Sequence, residues 1–232
     1  MFPKFFLAKK TLTTLTIQDL LLISCGFSCL LLIGRAAVTG LVTYAFLLWN
    51  LFLAFIPYGI TQWLSGQASL WKNKPKLIIT ILAWLLFIPN SFYILTDLFH
   101  LDTFDSAPKW FDLLLLFSFA WNGLLLGILS VRTLEKIIEA VWGRDFSSTI
   151  LVVVMWLNAF GIYIGRYLRF NSWDVIAQPF SLFSEMFEVI FHPIKNKMEW
   201  GMITVYAIFL LLLYATLKKL SENFNQNYLK SI

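Results

Sequence analysis

The stretch FDLLLLFSFAWNGLLLGILSV, residues 111–131, is apolar at nearly every position and long enough to cross a hydrocarbon core, which takes about 20 helical residues. Its run of Leu113 to Phe117, like that of Leu210 to Leu213, has no alternation of apolar and polar residues, so it does not read as a strand of a membrane β-barrel. In lipid the backbone must satisfy its own hydrogen bonds, and a helix does so within one segment. Five further stretches pass the same length test: 17–33, 38–60, 77–95, 149–164 and 202–217. The expected fold is all-α, a polytopic membrane bundle of six transmembrane helices forming one integral membrane domain over residues 1–232. Composition agrees, since 59% of the chain is hydrophobic and only 13% charged, against about 25% charge in a soluble domain. A water-soluble protein of this size could not cover so much apolar surface.

Basic residues near spans are retained in the cytoplasm, so their distribution sets the direction. Twelve of the 18 Lys and Arg fall on the side of the two termini, including Lys72, Lys74, Lys76, Arg132, Lys136, Arg144, Lys218 and Lys219. Six, among them Arg35, Arg166 and Arg169, fall on the other. Both termini are therefore expected in the cytoplasm. The net charge of +5 reads as this retention signal with some attraction to membrane lipids, and no nucleic-acid partner is expected. Cys25 and Cys29, four residues apart on one helix, read as small packing residues.

Polar groups inside a bilayer are costly, and their positions carry information. Asn50, Asn122 and Asn158 fall within spans, where they serve as interhelical hydrogen-bonding groups or as the lining of a polar cavity. On the third span Asn90, Tyr93, Asp97 and His100 share an arc of about 80° if the helix continues past residue 95. Pro89 precedes them and withholds an N–H, so a kink is expected. On the fifth span Asn158, Gly161, Gly165 and Arg169 share a comparable arc. Gly161 and Gly165, like Gly123 and Gly127 on the fourth span, are small residues one turn apart that permit close helix approach.

The extracytoplasmic face thus gathers Asp97, His100, Asp102, Asp105, Arg166, Arg169, Asn171 and Asp174, with nothing comparable on the cytoplasmic side. Solvated or loosely paired span ends are the plain alternative. As a site, Asp97 and His100 are the candidate catalytic proton-transfer groups, and Asn90, Tyr93, Arg166, Arg169, Asn171 and Asp174 the candidate substrate-binding residues. The two arginines would form an anion clamp. Asp97, His100 and Asp102 have ligand chemistry, but no metal-binding spacing occurs, so no metal is assigned and the cofactor is left unknown. In the last extracytoplasmic loop, Phe183, Met186, Phe187, Ile190 and Phe191 follow helical spacing, predicting an amphipathic helix in the interface or one packed on the bundle. Trp49-Asn50 is echoed by Trp121-Asn122, and Asn90-Ser91-Phe92 by Asn158-Ala159-Phe160, at offsets of 72 and 68 residues, which suggests a parallel internal repeat.

Two segments, Pro89-Asn90-Ser91-Phe92-Tyr93-Ile94-Leu95-Thr96-Asp97-Leu98-Phe99-His100-Leu101 and the run from Asn158 through Gly161, Gly165-Arg166, Arg169 and Asn171-Ser172-Trp173-Asp174, resemble the signatures of the integral-membrane family called domain of unknown function 1361. The resemblance implies a bacterial cytoplasmic (inner) membrane protein and brings no activity or catalytic residues with it.

Three functions are compatible with these residues. The first is binding or processing of an anionic lipid headgroup or lipid-linked small molecule at the outer face, as an enzyme or a binding protein. The second is a small solute or ion transporter with a path lined by Asn50, Asn90, Asn122 and Asn158. The third is a scaffold that assembles with membrane-protein partners or with copies of itself.

Overall fold

The computed structural model describes residues 15–104 and 106–230, the last six by backbone alone. Asp105, Lys4, Lys9 and Lys10 lie outside the described residues. The elements in chain order are α1 (Ile17–Thr39), α2 (Phe46–Ser65), the short α3 (Ala68–Lys72), α4 (Lys74–Tyr93), α5 (Lys109–Trp142), α6 (Arg144–Tyr163), α7 (Asp174–Ala177), α8 (Pro179–Phe191) and α9 (Lys197–Lys230). A 3₁₀ turn, Ile94–His100, prolongs α4, and a π turn, Ile164–Leu168, prolongs α6. With these extensions α1, α2, α4, α5, α6 and α9 are long and apolar enough to cross a membrane. The protein is an all-helical, multi-pass membrane protein.

The span boundaries differ from the hydropathy reading in ways that matter. The first helix does not stop at residue 33 but runs to Thr39, so Arg35 lies inside it, and the second begins at Phe46 and not at 38. The connection expected over residues 132–148 is almost absent. Here α5 continues to Trp142, and Gly143, at φ 93°, turns the chain into α6 as a one-residue hinge. A side chain there would be strained, because that backbone region favours glycine.

Burial identifies α5 as the central helix: 72% of its most apolar window is buried, against 22–39% for the other five spans. One side packs with α1 and α2 through Leu115, Leu116 and Phe119 against Leu21, Leu47 and Leu51. The other packs with α4, α6 and α9 through Leu124, Ile128 and Val131 against Trp84, Ile88, Met155 and Leu210. Exposed leucines, isoleucines and phenylalanines on the remaining faces suit contact with lipid.

Both glycine pairs grip the same part of α4. A Cβ on Gly123 would lie 2.7 Å from the Ser91 carbonyl oxygen, and one on Gly161 would lie 2.6 Å from the Pro89 ring. Gly127 lies against Phe92 and Gly165 against the Tyr93 ring. The Pro89–Ile94 segment is thus clamped from both sides, which fixes the height and rotation of the polar residues that follow it.

Candidate functional site

A cavity of about 370 Å³ opens between α4 and α6, within the size range of small-molecule sites. One end is apolar, walled by Leu82, Leu85 and Leu86 of α4 and by Leu157 and Phe160 of α6. The other is polar, bordered by Asn50, Asn90, Tyr93, Asn171 and Ser172. Leu182 and Met186 of α8 complete the wall. Among the described residues none that line the cavity carries a formal charge.

The polar end is assembled by the chain's own hydrogen bonds. Pro89 withholds an N–H from the Leu85 carbonyl and loosens this turn of α4. The segment after α6 docks there: Ser172 Oγ donates to the Leu86 carbonyl at 3.0 Å and accepts from Asn90 Nδ2 at 2.9 Å. Asn90 gives its other amide hydrogen to the Phe87 carbonyl at 2.9 Å. Asp174, nearly buried, accepts the Asn171 backbone N–H at 2.6 Å and so shapes the turn that carries Ser172. Trp173 packs edge-on against Trp49 at 6.0 Å between ring centroids.

Asp97 and His100 do not line the cavity. The 3₁₀ turn advances about 120° per residue where an α-helix advances about 100°, so by Asp97 the side chain has rotated about 80° from the expected face. It points to α2, where Asn50 Nδ2 donates to it at 2.7 Å. Asn50 therefore touches both the cavity and Asp97. Arg166 lies 3.7 Å from the Asp97 carboxylate and donates to His100 Nε2 at 3.2 Å. A guanidinium can only donate, so that nitrogen is the acceptor and its lone pair is occupied. Arg166 also stacks over Phe99 at 5.2 Å.

The arginine pair expected to clamp an anion is not formed. Arg166 is engaged by Asp97 and His100, and the π turn followed by a left-handed Arg169 (φ 61°) leaves Arg169 exposed and apart from Asp97 and His100. Asp102, also exposed, pairs with Lys109 at 2.9 Å, so it does not converge with Asp97 and His100 on a shared point. Of the eight candidate residues, Asn90, Tyr93 and Asn171 border the cavity, Asp97, His100 and Arg166 form a cluster behind Asn50, Asp174 shapes a turn, and Arg169 is exposed with no hydrogen-bond or ion-pair partner among the described residues.

The four asparagines do not line one path. Asn122 donates to Ser28 and to the Ser118 carbonyl, on the α1 side of α5. Asn158 is fully buried, and among the described residues neither of its amide atoms has a partner.

Sequence reasoning misses two polar clusters. Arg35 makes a two-pronged contact with Asp112, at 2.6 and 3.0 Å, both side chains being about 1% exposed. Tyr44 shares its one hydroxyl hydrogen between the His100 carbonyl, at 3.0 Å, and Asp112, at 3.4 Å, which ties this pair to the end of the 3₁₀ turn. Burial and the nearby carboxylate push the Tyr44 phenol up to about 12, so it stays a donor at ordinary pH. At the opposite end, where nothing comparable was expected, Glu135 accepts from Tyr214, from Arg132 and from Lys218, the last at 2.7 Å. Asp112 stands within the apolar stretch of the fourth span, a visible signal, whereas Glu135 lies beyond residue 131, where the apolar run ends although the helix continues to Trp142.

The helix expected in the last long connection is α8, and its apolar residues divide between the bundle and the outer surface. Leu182 and Val189 are buried and Met186 is half-buried, whereas Phe183, Phe187 and Phe191 of the expected stripe are exposed, with Phe180 beside them. The sequence periodicity fits both faces, and packing selected the one with the smaller side chains.

The family model described as "Protein of unknown function (DUF1361)" matches residues 49–213, more than half of the chain. No curated protein and no solved structure matches it. The matched residues include every residue of the cavity wall and of the Asp97 cluster.

Proposed function

Because this chain belongs to the DUF1361 family of proteins of unknown function, we propose a function from its site alone: it binds an amphiphilic molecule that enters the cavity sideways from the bilayer. The observation that carries this reading is the cavity's division into an apolar and a polar end, with Leu82, Leu86 and Leu157 both lining it and facing outward. An occupant with an alkyl or isoprenoid chain would lay it between α4 and α6 and seat its head at Asn50, Asn90 and Asn171. Lipids and lipid-linked molecules have this form. Asp97 and His100 reach such a head only through Asn50, so binding is the better supported role and proton transfer the lesser one.

The proposed location is the bacterial cytoplasmic membrane, with both termini in the cytoplasm and the polar end of the cavity toward the outer leaflet. The 12-to-6 asymmetry of Lys and Arg supports it. In that arrangement α8 lies in the outer interface with Phe180, Phe183 and Phe187 in the acyl boundary. Labelling a cysteine placed at exposed position 171 from outside intact cells checks the direction, and labelling from the cytoplasmic side alone overturns it.

The binding reading is tested by irradiating the protein in phosphatidylcholine nanodiscs with an alkyl diazirine lipid and mapping the adducts. Adducts concentrated on Leu86, Leu157 and Phe160, and lost in Leu86→Trp, which plugs the cavity rim, are the expected result. Equal labelling of the lipid-facing side chains of α1 and α9 would sink the idea.

A further inference from the structure

We infer that the polar end of the cavity is a cradle of hydrogen-bond acceptors, made for an uncharged head rich in hydroxyl groups and ill-suited to a phosphate or carboxylate. This rests on the cavity being the binding site, and it specifies the chemistry of the occupant. The orientation of each lining amide is fixed by what the protein already offers it. Asn90 spends both amide hydrogens, one on the Phe87 carbonyl, which can only accept, and one on Ser172 Oγ. Its Oδ1 is the atom left over. Asn50 directs one Nδ2 hydrogen to the Asp97 carboxylate at 2.7 Å, which leaves Oδ1 and one further N–H. Asn171 turns its Nδ2 toward Asp174, at 3.4 Å, and its backbone N–H goes to the same carboxylate. Ser172 gives its hydrogen to the Leu86 carbonyl, so it too can only accept further.

Asn90 and Ser172 have therefore spent every donor in building the wall, while Asn50 and Asn171 have each spent one amide hydrogen of two, so free acceptor sites outnumber free donors among these four side chains. Tyr93 alone adds a hydroxyl able to donate. An anionic head facing several carbonyl oxygens would be repelled and would lose its water without compensation. Among the described residues no cation lines the cavity, and Arg166, beside the lining Gly165, is engaged by Asp97 and His100. A cationic head fares no better, since the two carboxylates behind the wall, Asp97 and Asp174, do not line the cavity and already accept from Asn50 and Asn171, and an ion without a counter-ion is costly in such a place. Hydroxyl groups, as in a sugar or a polyol on a long chain, supply the donors that the three carbonyl oxygens lack.

The test compares two heads on one chain. Dodecyl glucoside and dodecyl phosphate compete against the alkyl diazirine lipid for the wild-type protein in phosphatidylcholine nanodiscs. Half-displacement by the glucoside is expected at a concentration lower by about tenfold or more. Equal potency, or a preference for the phosphate, overturns the acceptor cradle while leaving the cavity reading intact. Failure of both to compete, with adducts scattered over the lipid-facing surface, removes the cavity reading itself. In a second measurement, Asn171→Leu removes one exposed acceptor while its backbone bond to Asp174 remains. The glucoside is expected to weaken by about fivefold or more and the phosphate to stay unchanged. An unaltered glucoside potency overturns the assignment of the head to this end.

Discussion

Two acid–base pairs stand at the same end of the bundle, and they are built differently. Arg35 and Asp112 are closed: two contacts at 2.6 and 3.0 Å, further bonds from Arg35 to Thr43 and to Ser106, a third donor to Asp112 from Tyr44, and almost no exposure of either side chain. Arg166 and Asp97 are open: a single approach of 3.7 Å, with Arg166 shared between Asp97, His100 and the face of Phe99. A pair that saturates its partners is fit to hold helices together, because breaking it strands a buried charge. A pair with capacity left over, next to a cavity and joined to it by Asn50, is fit to respond to what the cavity holds.

The same substitution in the two places separates these roles. Asp112→Asn leaves the Arg35 guanidinium buried with a neutral amide in front of it, and is expected to cost about 3–5 kcal/mol. Thermal unfolding of the purified protein in detergent measures it, and a shift as small as that of a surface change would break the contrast.

Next in size is Gly161→Ala. Its Cβ would lie 2.6 Å from the Pro89 ring, so α4 and α6 must separate, at about 1–3 kcal/mol. This change widens the cavity and the open pair but leaves Arg35 and Asp112 untouched. Lost photolabelling of Leu157 in a still folded protein is the expected outcome. Unchanged labelling would mean that the glycine contact does not set the cavity's width.

Asp97→Asn is expected to cost about 1 kcal/mol or less, because the amide oxygen can still accept from Asn50 and Arg166 keeps His100 and Phe99. Its effect should appear in the competition assay, where Asn50 is no longer held by a carboxylate and the preference for the hydroxyl head declines. A loss of stability equal to that of Asp112→Asn would show that the two pairs are alike after all.

Sequence alone reaches the spans because a run such as Leu113 to Phe117 admits one reading in lipid. It also reaches the glycine pairs, but not that both close on the same turn of α4, since a spacing within one helix says nothing of its partner. The shared face of Asn90, Tyr93, Asp97 and His100 holds only as far as Tyr93. A local change from α to 3₁₀ winding, not visible in hydropathy, turns Asp97 toward Asn50. Arg35 and Asp112 are 77 residues apart, and only the packing of α1 on α5 reveals that each is the other's counter-ion. Glu135 was lost for a simpler reason: the hydropathy of the fourth span fades near residue 131 while the helix continues to Trp142. Arg169 leaves the expected arc at the other end of α6, where the π turn takes the chain off the helical face.

The smallest effect is reserved for that residue. Arg169 has φ 61°, a region that costs a residue with a side chain on the order of 1 kcal/mol. Arg169→Gly removes this strain, but glycine also gives the unfolded chain more freedom, worth about 0.4–1 kcal/mol in the opposite direction. The two nearly cancel, so stability is expected to stay within about 0.5 kcal/mol of wild type. The variant therefore tests the guanidinium and little else. If Arg169 took part with Arg166 in holding an anion, dodecyl phosphate would lose potency in the competition assay while dodecyl glucoside would not. The exposed position of Arg169, away from Asp97 and His100, predicts that neither amphiphile changes. A selective loss for the phosphate would restore the anion clamp and break the distinction between a closed pair that holds the bundle and an open one that attends to the cavity.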